Sequence, residues 1–188
     1  MDTENENNRS ANFLLAFGFI LLGLIFHTYV FHLFDYSGFM VMGIAEHSSM
    51  TVLYTLLSIA LILVAGFSYR KGEHLAALLF FFIGLMELVN GLSFWHGHVT
   101  WEGCFIILAV LVMIVAVIIF LQGGNLVSLT VGITSVLYFL DALLPIQSNE
   151  VLATIMGALF ILPTVLFFYL GAAIIVNEEL EEDLLPIF

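Results

Sequence analysis

The residue best placed to do chemistry is Glu87, a carboxylic acid near the middle of an apolar stretch that runs from Leu75 to Trp95. Gly84, Asn90 and Gly91 share one helical face with it, because the four are spaced by three, three and one residues. A carboxylate at mid-membrane depth costs roughly 2.5 to 3.5 kcal/mol, so Glu87 is expected to face a cavity, pair with a partner or remain protonated. No Lys or Arg lies in any apolar stretch. Two roles fit Glu87 at this position. It could carry protons, or it could form a hydrogen bond to a neighbouring helix.

A second group of polar residues lies in a later apolar stretch. Its members recur at intervals of four, four and three residues: Thr130, Thr134, Tyr138 and Asp141. Such spacing predicts one polar stripe along a helix. Threonine hydroxyls often bond to carbonyls of their own helix, but that explanation does not extend to Tyr138 and Asp141. We therefore predict a water-lined path along this stripe, to which Glu87 and Asn90 also contribute.

Most of the histidines lie near one end of the apolar stretches: His27, His32, His47, His96 and His98. Histidine titrates near pH 6.5, so the charge of this face changes as its surroundings acidify. We predict a pH-sensing face formed by His47, His96 and His98. His96, His98 and Glu102 together form only a weakly specific pattern for a metal site. We expect no metal and no cofactor. A polar loop at the membrane surface is the simplest alternative interpretation, and it stays open.

The composition of the chain requires a membrane to position these residues. The 188 residues are 62% hydrophobic and 10% charged, and the mean hydropathy is +1.16. These values exceed those of soluble domains and exclude a soluble enzyme, so we expect no enzymatic activity. The net charge of −12 argues against nucleic acid and anionic lipid headgroups as partners.

Six stretches are long enough to cross a hydrocarbon core of about 30 Å as helices. They are Phe13–His32, Thr51–Tyr69, Leu75–Trp95, Trp101–Leu121, Leu126–Leu144 and Val151–Val176. Each is too long for a barrel strand, so helices must satisfy the backbone in lipid. We predict an all-α bundle of six transmembrane helices over 13–176. A polar segment, 1–12, precedes it and an acidic tail, 177–188, follows it.

Positive charge predicts the orientation of this bundle. Arg9, Arg70 and Lys71 are the only Lys and Arg residues, and all three fall on one side of it. The positive-inside rule therefore predicts that both termini are cytoplasmic, in a multi-pass protein of the plasma (inner) membrane. The run of acids after Val176 is expected to be a solvated helix end that indicates no partner.

Short motifs near the C-terminus carry a family resemblance: Tyr169-Leu170, Asn177-Glu178 and Leu185-Pro186-Ile187. Two further matches are Tyr69-Arg70-Lys71-Gly72 and Phe17-Gly18 followed by His27. With six spans and this chain length, the sequence resembles the acetate uptake transporter family of acetate and succinate carriers. It resembles a divergent member, because the family's Asn-Pro-Ala-Pro-Leu-Gly-Leu motif is replaced before the first span by Arg9-Ser10-Ala11-Asn12-Phe13-Leu14-Leu15.

The resemblance implies a narrow constriction formed by Phe17, Ile83 and Thr134, and a homohexamer with one path in each subunit. We accordingly expect proton-linked transport of a small monocarboxylate such as acetate, with the carboxylate, protons and the lipid bilayer as partners. The alternative is a proton-gated channel for a small neutral solute such as urea or a short amide. A membrane metalloenzyme and a non-transporting packing or regulatory protein are further alternatives.

Overall fold

In the part of the chain that the structure describes, six helices, each long and apolar enough to cross a membrane, account for nearly all of the residues. They are α1 (Asp2–Tyr36), α2 (His47–Arg70), α3 (His74–Trp95), α4 (Glu102–Leu121), α5 (Asn125–Leu143) and α6 (Glu150–Leu180). The computed structural model describes residues 2–36, 47–95, 102–144, 149–182 and 184–187, and these contain no strand. The predicted all-α bundle of six spans is therefore confirmed.

Two of the helices extend beyond the apolar stretches that identified them. The first begins at Asp2, so most of the polar segment 1–12 continues it as helix, and the last continues to Leu180. These two extensions bond to each other. Arg9 forms an ion pair of 2.9 Å with Glu179, and the Asn12 side-chain amide donates to Glu178 over 2.6 Å. We call the end of the bundle where they meet the terminal end.

The helices pack most extensively as three pairs, α1 with α6, α2 with α3, and α4 with α5. Small residues bring the first two pairs together: a Cβ on Gly171 would lie 2.9 Å from the Ala16 carbonyl oxygen, and one on Gly84 would lie 3.3 Å from the Ser58 carbonyl oxygen. Hydroxyl groups join the third pair, since Ser128 and Ser135 of α5 donate to α4 carbonyls over 2.8 and 2.7 Å. Small residues and interhelical hydrogen bonds are the means by which helices associate where lipid is as apolar as their side chains.

Matching turns close the second and third pairs at the terminal end. Gly72 and Gly123 both have a φ of 91°, a conformation that side chains disfavour. In each turn the next residue donates its N–H to a carbonyl five positions back, Glu73 to Ser68 and Gly124 to Ile119. This is a glycine-terminated helix end followed at once by a new helix, and it keeps neighbouring helices antiparallel.

The C-terminal tail folds back onto the bundle. The side chain of Asn177 bonds twice to the backbone of Leu185, over 2.8 and 2.9 Å, and the Tyr169 hydroxyl donates to the Pro186 carbonyl over 3.1 Å. Ile187 packs against the hydrophobic core. The acidic run itself is a solvated helix end, because Glu179, Glu181 and Glu182 are exposed. The residues after it return to the bundle because Asn177 bonds to the backbone of Leu185.

We predict that Gly171→Ala destabilises the protein by about 1 to 3 kcal/mol, because the new methyl group meets the Ala16 carbonyl oxygen of the α1 backbone as well as the Ile20 side chain. Thermal unfolding in detergent measures this. Gly66→Ala is the matched control, since nothing lies within 4 Å of a Cβ at that exposed position. Equal stability of the two variants would contradict the close approach of α1 and α6.

Candidate functional site

Five polar side chains meet inside the bundle and form what we call the polar cluster: Tyr29, Tyr54, Glu87, Tyr138 and Asp141. They come from α1, α2, α3 and α5, so each of the three helix pairs contributes. Four of the five are buried, and Asp141 is half-buried. The cluster is the place where the three pairs are joined by polar contacts.

Glu87 is fully buried, with no exposed surface. Its carboxylate accepts a hydrogen bond from the Tyr138 hydroxyl of α5 and a longer one, of 3.4 Å, from the side-chain amide of Asn90. The sequence left several environments possible for Glu87. The structure shows one of them, a hydrogen bond to a neighbouring helix. Glu87, Asn90 and Tyr138 of the predicted polar path are thereby brought together.

Asp141 pairs with a residue that sequence reasoning missed. It accepts a hydrogen bond of 2.5 Å from the Tyr29 hydroxyl of α1. The Tyr29 ring lies 6.5 Å, centroid to centroid, from the ring of Tyr54 in α2. A buried tyrosine needs a partner for its hydroxyl, so the signal available in sequence was the presence of Tyr29 and Tyr54 within apolar spans.

The two threonines of the predicted stripe make local bonds instead. The Thr130 hydroxyl donates to the Leu126 carbonyl over 2.8 Å, and the Thr134 hydroxyl donates to the Thr130 carbonyl over 2.9 Å. Both residues are fully buried. Only the part of the stripe formed by Tyr138 and Asp141 therefore faces other polar groups, and the threonines follow the alternative of bonding to their own helix.

The three residues expected at a constriction do not all meet. Ile83 and Thr134 are fully buried, whereas Phe17 is 41% exposed and stacks on Phe13 at the bundle surface. Phe19 takes the interior position on α1, because residues two apart on a helix point in nearly opposite directions. Phe17 therefore does not join Ile83 and Thr134 in the interior of the bundle, and a constriction formed by the three stays a prediction.

A layer of aromatic rings separates the polar cluster from the terminal end. Phe19 contacts Phe80 edge-on at 5.6 Å and stacks on Phe167 at 6.0 Å. Phe167 stacks on Phe26 at 5.4 Å, and Phe26 lies 5.5 Å from Tyr138. These rings connect Phe19 to the polar cluster without a gap.

A cavity of about 410 Å³, which we call the vestibule, lies on the other side of Phe19. Glu73, His74 and Gln122 contribute polar groups to its lining, and Leu15, Leu79 and Val127 contribute apolar ones. Helices α3 and α5 both begin at this cavity. Their N-terminal ends carry partial positive charge, which attracts an anion, and the acidic side chain of Glu73 in the same lining acts against this attraction.

The predicted pH-sensing face lies largely outside the part of the chain that the structure describes. His47 is the first residue of α2, and His96 and His98 lie outside the described residues. His27 is exposed and packs edge-on against Phe31. Within the described ranges no three His, Cys, Asp or Glu side chains are grouped as metal ligands. The pH-sensing role stays a prediction.

The fold and this site define a six-helix membrane bundle with paired carboxyl and phenol groups at its centre. No family model matches the sequence, and no curated protein matches it significantly. A solved structure described as that of the bacterial acetate channel SatP is similar, with a TM-score of 0.75. The two chains are 17% identical over 93% of this chain and 98% of the channel. The chain therefore has the fold of that channel.

We predict that Tyr138→Phe destabilises the protein by about 1 to 3 kcal/mol, because it leaves Glu87 buried with only its long bond to Asn90. Adding Glu87→Met to this variant should recover much of the lost stability. Removing both partners of a buried hydrogen bond costs less than removing one and leaving the other without its partner. Thermal unfolding of the single and double variants provides the measurement. A double variant less stable than Tyr138→Phe alone would show that the pair is not the unit of stability.

Proposed function

We propose that this protein transports a small monocarboxylate such as acetate across the membrane, linked to protons, along a path inside each six-helix subunit. The path runs from the vestibule, past the aromatic layer around Phe19, to the polar cluster. One combined observation is the main support for the proposal. This chain has the fold of an acetate channel, and at the centre of the bundle its buried Glu87 carboxyl accepts a hydrogen bond from the Tyr138 phenol.

The donors in the path support a carboxylate as the substrate. All three Lys and Arg residues lie near the terminal end, so no cation is available in the spans to hold an anion. Tyrosine hydroxyls are the donors of the polar cluster, and they already bind carboxylates in two places. At the vestibule, which lies at the terminal end and so on the cytoplasmic side, the N-terminal ends of α3 and α5 favour a negative charge at the inner end of the path.

The location of Glu87 supports a link to protons. A bare carboxylate in the hydrocarbon region is costly, and a substrate anion beside it adds a second negative charge. A proton taken up with the substrate removes one of the two charges. We therefore propose that Glu87 carries this proton and that Tyr138 holds the carboxyl in place while it does so.

The setting of this activity follows the family resemblance. We propose a homohexamer in the plasma membrane, with cytoplasmic termini, one path per subunit and no enzymatic activity. The many exposed apolar side chains on α2, α4 and α6 leave ample surface for lipid and for neighbouring subunits.

We predict that purified protein in liposomes takes up labelled acetate faster at an external pH of about 5 than at about 7. In the Glu87→Gln variant this pH dependence is lost or strongly reduced, because the amide cannot exchange a proton. Uptake of labelled acetate, with internal pH followed by a dye, measures both flux and coupling. Glu150→Gln, which removes an exposed acid at the start of α6, is the matched control.

Unchanged flux and unchanged coupling in Glu87→Gln would remove Glu87 from the mechanism. Labelled urea is the comparison solute. Urea flux without acetate flux would replace the carboxylate carrier by a channel for neutral solutes on the same fold.

A further inference from the structure

We propose that Tyr29 is a substrate-binding residue and that Asp141 occupies its hydroxyl until the carboxylate of the substrate displaces it. Asp141 then acts as a tethered stand-in for the substrate and sets how tightly a carboxylate binds. This inference deepens the proposed function and rests on it, because it names the residues that select a carboxylate within the same path.

The bond between the two residues shows that this donor suits a carboxylate. The Tyr29 hydroxyl donates to Asp141 Oδ2 over 2.5 Å, the short distance typical of a hydroxyl bound to a charged oxygen. A free carboxylate offers the same planar pair of acceptor oxygens as the aspartate side chain. An incoming acetate therefore needs no new geometry at Tyr29, only the departure of Asp141.

The Tyr29 ring is held independently of Asp141. It packs edge-on against Phe160 of α6, with the ring centroids 4.9 Å apart, and lies close to Tyr54 of α2. These contacts keep the hydroxyl in place when Asp141 leaves it. A donor fixed in advance loses little freedom when it binds a ligand, which favours exchange over collapse of the site.

Of the two carboxyl–phenol pairs, Asp141 with Tyr29 lies nearer to the end of the bundle opposite the termini than Glu87 with Tyr138. Asp141 lies two residues from the end of α5 and is half-buried, whereas Glu87 is fully buried. Helix α5 packs its backbone mainly against α4 and α6, and it approaches α1 through side chains such as this pair. A carboxylate arriving from the end opposite the termini thus meets Tyr29 before it meets Tyr138.

Competition between Asp141 and the substrate for the Tyr29 hydroxyl also predicts that neutral solutes do not bind at this site. An amide or urea oxygen is a weaker acceptor than a carboxylate, because charge-assisted hydrogen bonds are about twice as strong as neutral ones. A neutral solute therefore does not displace Asp141 from the hydroxyl. Selection for carboxylates comes from this internal competition and needs no cation.

The test is equilibrium binding of ¹³C-labelled acetate to the purified full-length protein in detergent, followed by NMR titration at neutral pH. Tyr29→Phe is expected to weaken binding about tenfold or more, because it removes a hydrogen bond to a charged group. Asp141→Asn is expected to tighten binding several-fold, because a neutral amide oxygen competes less strongly than a carboxylate for the Tyr29 hydroxyl. In the Tyr29→Phe background the gain from Asp141→Asn should vanish.

Two matched controls separate this exchange from general effects. Tyr169→Phe removes a hydroxyl at the terminal end, and Glu150→Gln removes a negative charge at the start of α6. Neither should change acetate binding, and thermal unfolding confirms that each variant is folded. The opposite signs expected for Tyr29→Phe and Asp141→Asn cannot arise from a shared loss of structure.

Three results would overturn the proposal: unchanged binding in Tyr29→Phe, weaker binding in Asp141→Asn, or a gain that persists without the Tyr29 hydroxyl. Absence of acetate binding to the unaltered protein overturns it as well. Opposite shifts in binding combined with no acetate flux in liposomes would uphold the site and reject transport. Normal flux with no response to either variant would reject the site and uphold transport.

Discussion

The structure depends on the burial of two carboxyl groups in a bundle that provides no cation to neutralise them. Glu87 and Asp141 therefore each bond to a phenol from another helix, Tyr138 and Tyr29. These bonds connect the α2 and α3 pair to the α4 and α5 pair, and the latter to α1. Within a pair, the helices are held by small residues, by serine hydroxyls and, between α1 and α6, by the bonds of Arg9 and Asn12 at the terminal end. Between pairs, the described polar bonds are those of the polar cluster, so the relative position of the pairs is coupled to the state of two acids.

The sequence predicts the fold and three of the five members of the polar cluster for identifiable reasons. Long apolar stretches specify helices because lipid offers the backbone no other partner, and an acid inside such a stretch stands out by its cost. Glu87 was found in this way, and Tyr138 and Asp141 were found by their helical spacing. Tyr29 and Tyr54 were missed because a tyrosine lowers the hydropathy of a span very little. Their partners lie on other helices, and no spacing within one helix reveals a contact of that kind.

The errors have a similar origin. Thr130 and Thr134 fit a polar stripe by spacing, but spacing does not show whether a hydroxyl bonds to a carbonyl of its own helix. Phe17 matched the family by alignment, yet Phe19 faces the interior, since the rotation of α1 is determined by its close packing against α6.

The tail shows the reverse case. Its three motifs, which carried the resemblance, bond to one another in the structure. They thus identify a way of closing the bundle, which explains why they indicate the fold better than the substrate.

The interior of the bundle is closed by side chains and not by backbone. Helix α5 meets α1 and α3 mainly through side chains, and the space between them holds the polar cluster and the rings of Phe26 and Phe160. Rotation of an aromatic ring is a far smaller rearrangement than separation of helices packed glycine to backbone, as α1 and α6 are. The solute path proposed above is therefore expected to open by movement of rings and by exchange of phenol partners, while the three helix pairs keep their shape. Such a path suits a small solute, because the volume that side-chain rotation can release is limited by a core packed to the density of a crystal.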